Sequence, residues 1–83
     1  MRYETQTVLR PEEVVSLARE FFEGELGLHE QPNSTPAITT FVGGGGGIAL
    51  SAEAHDQSTT VELLAREWDY QARQFLRRVR GGA

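Results

Sequence analysis

The stretch IALSAEAHDQSTTVELL, residues 48–64, decides the fold. Its first half alternates apolar and polar side chains, which is the period of a half-buried strand. A turn at residues 56–57 pairs His55 with Ser58. The apolar pairs then all fall on one face of an antiparallel hairpin, as a real register requires: Ala54 with Thr59, Ala52 with Val61, and Leu50 with Leu63.

The same test extends the sheet backwards along the chain. Placing Val42 opposite Ile48 sets Thr40 against Leu50 and Ile38 against Ala52, again on the apolar face. The sequence therefore predicts three consecutive antiparallel strands. The connection between the first two strands is a run of five glycines: Gly43, Gly44, Gly45, Gly46 and Gly47.

One rival reading concerns residues 59–80. Thr59 and Glu62 have the spacing of a helix capping box, and apolar residues from Val61 to Val79 recur at helical intervals. Residues 59–80 would then form a single helix. The two-stranded register and the β-branched run at residues 59–61 favour a strand followed by a helix.

The flanking segments complete a β-α-β-β-β-α order. We predict a strand over residues 2–9, an amphipathic helix over 11–25 that begins at Pro11, a loop over 29–36, and a final helix that ends at Gly81-Gly82. The fold class is α+β, a two-layer sandwich in which both helices cover one face of an antiparallel sheet of about four strands. The predicted core is Val14, Leu17, Phe21, Trp68, Phe75 and Val79 against Ile38, Leu50, Val61 and Leu63.

Length and composition bound the class of protein. The 83 residues form one domain, with 39% hydrophobic and 24% charged residues, as in ordinary globular proteins. Cysteine is absent, so thiol catalysis, disulfides and thiolate metal sites are excluded. No apolar run is long enough to span a membrane, and we expect a cytoplasmic protein without membrane contact.

Charge is distributed unevenly along the chain. All eight basic residues are arginine, which excludes lysine chemistry. Residues 1–63 carry a net charge of about −7, and residues 64–83 carry about +3. Arg77, Arg78 and Arg80 lie where cations stabilise the carboxyl end of a helix. On the same helix Trp68 follows the apolar stripe, whereas Tyr70 points towards the sheet edge or a partner.

No motif indicates catalysis, a metal or a cofactor. The five glycines lead into a strand and lack the lysine of a phosphate-binding loop, so they are interpreted as a hairpin connection, with a ligand-contacting anion nest as the alternative. Glu53 and His55 share a strand face without a nucleophile or third group, and we expect a solvated pair rather than an enzyme. Glutamates on the open face, assigned as Thr39, Phe41, Ala49, Ser51, Glu53, Thr60 and Glu62, argue against nucleic-acid binding.

The C-terminal half resembles the helix-grip domains, which include the polyketide cyclase, START and Bet v 1 proteins. The resemblance rests on Gly43 to Gly47, the hairpin over residues 48–64, and the run from Arg66-Glu67-Trp68-Asp69 into Phe75-Leu76-Arg77-Arg78. In that superfamily a glycine-rich turn, antiparallel strands and a long closing helix form a cup for apolar ligands. The resemblance implies a ligand cavity and carries no catalytic residue with it.

Two functions are therefore expected. The first is a non-enzymatic interaction domain that forms a homodimer through a strand edge or the open sheet face, since a domain of this size buries only about 60 to 65% of its unfolded surface and self-association would stabilise it. The alternative is a carrier of a small apolar ligand held between helices and sheet. The residues that would line the carrier site are Phe21, Phe22, Phe41 and Trp68.

Overall fold

A computed structural model describes residues 1–32, 34–35 and 37–81, and it confirms the α+β class. The sheet has five strands rather than about four. The strands are β1 (Arg2–Thr7), β2 (His29–Glu30), β3 (Thr39–Gly43), β4 (Gly46–His55) and β5 (Ser58–Arg66). The helices are α1 (Pro11–Ala18), which continues into a π-helical segment (Arg19–Glu25), and α2 (Asp69–Arg80).

All neighbouring strands are antiparallel, and their order across the sheet is β1-β5-β4-β3-β2. The β4–β5 pairing matches the predicted register from His55 opposite Ser58 to Leu50 opposite Leu63. The rival single helix over residues 59–80 is therefore wrong, because β5 continues to Arg66. The chain reverses at Glu67, whose φ of 71° lies in the left-handed region, and α2 begins two residues later.

The predicted register of β3 is wrong by one residue. Phe41 pairs with Ile48 and Thr39 pairs with Leu50, so the alternation of β3 is inverted relative to the prediction. Phe41 is completely buried, whereas Ile38 is half exposed and does not belong to the core. The reason is the turn, which contains only two of the five glycines: Gly43 pairs with Gly46 around Gly44 and Gly45.

The helix over residues 11–25 begins and ends as predicted, but its last seven residues form wider π-helical turns. The N–H of Leu26 bonds to the carbonyl of Phe21, five residues back. Phe21 and Phe22, although adjacent, are both buried, with ring centroids 5.1 Å apart in an edge-to-face contact. The wider turn accompanies this double burial of neighbouring aromatic rings. Gly27, with φ of 75°, then leads the chain out of the helix.

The predicted loop over residues 29–36 contains a short edge strand. His29 and Glu30 pair with Val42 and Phe41, so β2 adds a fifth strand beyond β3. Two other predictions fall outside the described residues: Asn33 and Pro36 in this loop, and Gly82 as part of the helix stop. Gly81 directly follows α2, and its N–H bonds to the carbonyl of Arg77.

The core lies between the helices and one face of the sheet. Leu17 and Trp68, predicted as core residues, are only partly buried and pack against its margin. The sheet contributes side chains of one alternation only, as a single covered face requires. The buried hydrophobic residues are Val14, Ala18, Phe21, Phe22, Leu28, Phe41, Ile48, Leu50, Val61, Leu63, Ala65, Ala72, Phe75, Leu76 and Val79.

Candidate interaction surface

The face of the sheet opposite the helices is uncovered by other described elements of this chain. Because side chains alternate along a strand, this open face carries the residues between the buried ones. The register aligns four of them in one row across the sheet: Thr40, Ala49, Leu64 and Arg2. Thr39 and Phe41, which the sequence predicts on this face, lie on the covered face instead because the β3 register is inverted.

An apolar patch occupies one end of the open face. Leu64, at the centre of the patch, is 51% exposed, and Met1, which lines the same groove as Leu64, is 77% exposed. Ile38, which directly precedes β3, is 50% exposed. A shallow groove of about 460 Å³ runs over the patch, and its lining is predominantly apolar. The groove is lined by Met1, Arg2, Thr40, Val42, Gly47, Ile48, Ala49, Leu64, Ala65 and Arg66.

Charges of opposite sign flank this patch along the strand direction. Arg66 lies two residues beyond Leu64 on β5, and Glu62 lies two residues before it, so all three share the open face. Glu62 accepts a hydrogen bond of 2.7 Å from Nε of Arg2. Glu4, paired with Glu62 across the β1–β5 ladder, adds a second carboxylate to the same row. The patch therefore lies between Arg66 on one side and the carboxylates of Glu62 and Glu4 on the other.

Glu53 and His55 also meet on the open face, at its far end. The Nε2 atom of His55 lies 2.9 Å from Oε1 of Glu53, and both side chains are more than half exposed. Both side chains of this pair therefore face solvent. Its geometry resembles an ordinary surface ion pair, which contributes little to stability.

The glycine run forms a tight hairpin turn. Gly44 and Gly45 have φ of 58° and 81°, the combination of a two-residue turn that suits the twist of a hairpin. The indole N–H of Trp68 donates a 2.8 Å hydrogen bond to the carbonyl of Gly43. This hydrogen bond joins the glycine turn to the start of α2. Only Gly44 and Gly45 form the connection, because Gly43 belongs to β3 and Gly46 and Gly47 belong to β4.

The four aromatic residues predicted to line a ligand site fall into two groups. Phe21, Phe22 and Phe41 meet in the core together with Phe75, with ring centroids between 5.1 and 6.0 Å apart. Rings at these distances are in contact. Trp68 lies apart from this cluster, against the glycine turn. A ligand would have to displace packed rings, and the carrier function stays a prediction.

Several carboxylates accept hydrogen bonds that join elements on the covered side of the fold. Glu30 and Glu25 have pKa values below the usual range because Arg19 and Arg78, respectively, donate hydrogen bonds to them. The pKa of Asp69 is likewise lowered, chiefly by the hydroxyl of Tyr3, which donates a 2.6 Å hydrogen bond. The same bond raises the pKa of Tyr3. The Arg19–Glu30 and Tyr3–Asp69 contacts each join a helical segment to a strand, and the Arg78–Glu25 contact joins α2 to the π-helical segment.

Comparisons with known proteins do not relate this chain to a known family or structure. Neither protein-family models, curated proteins nor solved structures gave a match to this chain. The resemblance to helix-grip domains therefore stays a prediction. Across the described ranges, the helices are too short or too polar to traverse a lipid bilayer.

The sequence reading missed the residues that define the patch. Leu64, Met1 and Val42 were not predicted to lie on a shared exposed surface. For Leu64 the signal was available, because the predicted β5 register buries Leu63 and therefore turns its neighbour outward. For Val42 the signal was hidden by the incorrect position of the glycine turn.

Proposed function

We propose that this chain is a non-enzymatic interaction domain that forms a homodimer through the open face of its sheet. The single observation that carries the proposal is the apolar patch around Leu64, left uncovered between Arg66 and the carboxylates of Glu62 and Glu4. An antiparallel sheet with one solvated face normally presents polar side chains there. A half-exposed leucine inside an apolar groove is the feature expected of an association surface. A cytoplasmic location belongs to the same proposal.

Charge complementarity favours a second copy of the chain as the occupant. A two-fold axis that crosses the strands at the level of Leu64 places the two Leu64 side chains against each other. The same axis reverses the strand direction, so that Arg66 of each copy lies over Glu62 of the other. Such a two-fold contact is self-complementary, as homodimer interfaces are. Face-to-face packing of two sheets is also an established way to bury apolar surfaces.

The size of the face sets the expected affinity. Five strands spaced about 4.8 Å apart and roughly 20 Å long give a face of about 500 Å² for each copy. A dimer then buries about 1000 Å² in total, which lies at the low end for specific interfaces. We therefore expect dissociation constants of about 1 to 100 µM rather than an obligate dimer.

Sedimentation velocity over about 1 to 500 µM protein tests the proposal. Leu64→Asp introduces a charge at the centre of the patch and should leave only monomer. The matched control is Tyr70→Asp, since Tyr70 is also a large, 59% exposed side chain but lies on α2. The control should dimerise like the parent. A parent that stays monomeric throughout, or a dimer that is lost with Tyr70→Asp and kept with Leu64→Asp, refutes the open-face dimer.

A charge exchange tests the orientation of the two copies. Arg66→Glu and Glu62→Arg should each weaken the dimer, because each places like charges opposite one another. The double variant exchanges the basic and acidic ends and should restore association. If the double variant is weaker than both single variants, the proposed two-fold arrangement is wrong.

A further inference from the structure

The outer edge of β1 is open for a further strand. Met1 and Ala65 exchange both backbone hydrogen bonds, N–H to carbonyl, so the pairs that bond β1 to β5 continue at every second residue. The N–H and C=O groups of Arg2, Glu4 and Gln6 therefore point away from the sheet. The ladder is unbroken over six pairs, with no proline or bulge to protect this edge.

Helix α2 lies alongside this edge and runs in the same direction. Near its start, Tyr3 donates its hydroxyl hydrogen bond to Asp69; near its end, the hydroxyl of Thr7 donates a 2.6 Å hydrogen bond to the carbonyl of Val79. A groove of about 260 Å³ runs between strand and helix. Its lining residues are Tyr3, Glu4, Thr5, Arg73, Leu76, Arg77 and Arg80.

Three arginines form a row along the groove. Arg73, Arg77 and Arg80 are spaced four and three residues apart, so they share one stripe of α2. In the described part of the chain none of them has a carboxylate within ion-pair distance, whereas Arg2, Arg10, Arg19 and Arg78 each do. The helix dipole accounts for cations near the end of α2. It does not account for their alignment beside an open strand edge.

We propose that the β1 edge and the arginine row together bind an extended acidic segment of a partner protein as an added strand. Alternate residues of such a strand lie about 6.7 Å apart on the helix side. The arginines follow one another at about 6.0 and 4.5 Å along the helix axis, within reach of their long side chains. Acidic residues at every second position of the added strand would face the row, while its backbone bonds to Arg2, Glu4 and Gln6.

The chemistry of the site selects this partner over a second copy of the chain. In a β1–β1 contact the helix-side residues of the added strand would be Tyr3, Thr5 and Thr7, which carry no acid. The two arginine rows would also approach each other with Glu4 as the single carboxylate, among the residues that the structure describes, that lines each groove. The site is separate from the open-face dimer, and the two proposals stand or fall independently.

The probe is a fluorescent peptide of about ten residues in which glutamate and valine alternate. Its binding is measured by anisotropy, and amide hydrogen exchange is followed by NMR. We expect saturable binding with added protection of the Arg2, Glu4 and Gln6 amides, and weaker binding as salt rises from about 50 to 200 mM. The matched control peptide has the same composition with its glutamates and valines in two blocks, and it should bind at least about five-fold more weakly.

Two variants locate the site on the protein. Arg77→Gln should lower the affinity for the alternating peptide about five-fold. Arg19→Gln removes the same charge beside β2, the opposite edge, and should leave the affinity unchanged. Circular dichroism checks that both variants fold. The proposal is overturned if the alternating peptide does not bind, or if it binds without protecting the β1 amides. It is also overturned if the block peptide or a short RNA binds as tightly as the alternating peptide.

Discussion

The glycines in and beside the β3–β4 turn are required for different physical reasons, and substituting them one at a time by alanine separates these reasons. At Gly45 an added methyl group meets open space, but the φ of 81° belongs to the left-handed region. Placing an L-residue there costs about 1 to 2 kcal/mol. Alanine also restricts the unfolded chain, which offsets roughly 0.4 to 1 kcal/mol. We expect Gly45→Ala to destabilise the fold by about 1 kcal/mol.

Gly44 adds a steric contact to the same backbone requirement. Its φ is 58°, and an added Cβ would lie 2.8 Å from Cζ2 of Trp68. The indole ring would have to move, which endangers its hydrogen bond to Gly43, a contribution of about 1 kcal/mol. The expected loss for Gly44→Ala is therefore about 2 kcal/mol.

Gly46 is a different case, because its φ does not favour glycine and its neighbour is backbone. An added Cβ would overlap the carbonyl oxygen of Arg66 and approach Cβ of Glu67 at 2.6 Å. The end of β5 cannot move without breaking its pairing with β4. We expect a loss of about 3 kcal/mol or more, against a total stability of about 4 to 12 kcal/mol for a domain of 83 residues.

Urea unfolding followed by circular dichroism and Trp68 fluorescence measures the series. The internal control is Gly24→Ala, since Gly24 lies in the π-helical segment with open space around it. Alanine there should stabilise the fold by about 0.5 to 1 kcal/mol. The expected order of stability is Gly24→Ala, parent, Gly45→Ala, Gly44→Ala and Gly46→Ala. If Gly46→Ala costs no more than Gly45→Ala, the two-residue turn is misplaced.

Two further predictions concern the junction between β5 and α2. Glu67 has φ of 71° and an exposed side chain, so Glu67→Gly should stabilise the fold by about 0.5 to 1 kcal/mol, measured by urea unfolding; a loss of stability would contradict the strain. The lowered pKa of Asp69 means that its carboxylate stabilises the fold above the unfolded value of about 3.9, and that this contribution disappears as pH falls through the folded pKa. Asp69→Asn should therefore be less stable than the parent at pH 7, and the difference should shrink below about pH 4 in unfolding curves; a difference independent of pH would refute this.

The sequence was sufficient for the β4–β5 hairpin because both strands carry information. Apolar residues alternate on each, and the turn between them, Asp56-Gln57, interrupts the pattern at a defined point. Asp56 takes a φ of 52°, a conformation that aspartate tolerates better than most residues. Register errors in this hairpin would move Leu50 and Leu63 to solvent, which is why the pattern alone excludes them.

The sequence determines the β3 register less well than that of the β4–β5 hairpin, because five identical glycines do not mark where the turn lies. A two-residue turn and a five-residue connection differ by one residue in register, and that difference decides whether Phe41 or Val42 is buried. The larger aromatic side chain is the one buried in the structure. The two-residue strand β2 is also too short to show any period, and its pairing depends on β3.

The sequence predicts one part of the candidate surface correctly and another part incorrectly, because the surface depends on the registers of both β5 and β3. Leu64 and Glu62 follow from the β5 alternation, which the sequence predicts correctly as far as residue 64, whereas Arg66 lies beyond the predicted strand. Val42 and the exposure of Ile38 follow from β3, which the sequence does not predict correctly. The arginine row of α2 is visible as helical spacing, but its position beside the free edge of β1 requires the tertiary contacts of Tyr3 and Thr7.

The glycine turn contacts a residue of the open face, so a substitution at Gly46 should change both the stability of the fold and its self-association. Gly46 approaches the backbone of Arg66, and Arg66 lines the apolar groove with Gly47. A side chain at Gly46 displaces Arg66, which we place opposite Glu62 of a second copy. A side chain at Gly45 points into open space and leaves the groove intact. Gly45→Ala should therefore lose stability without losing dimerisation, whereas Gly46→Ala should lose both, since β5 carries the core on one face and the interface on the other.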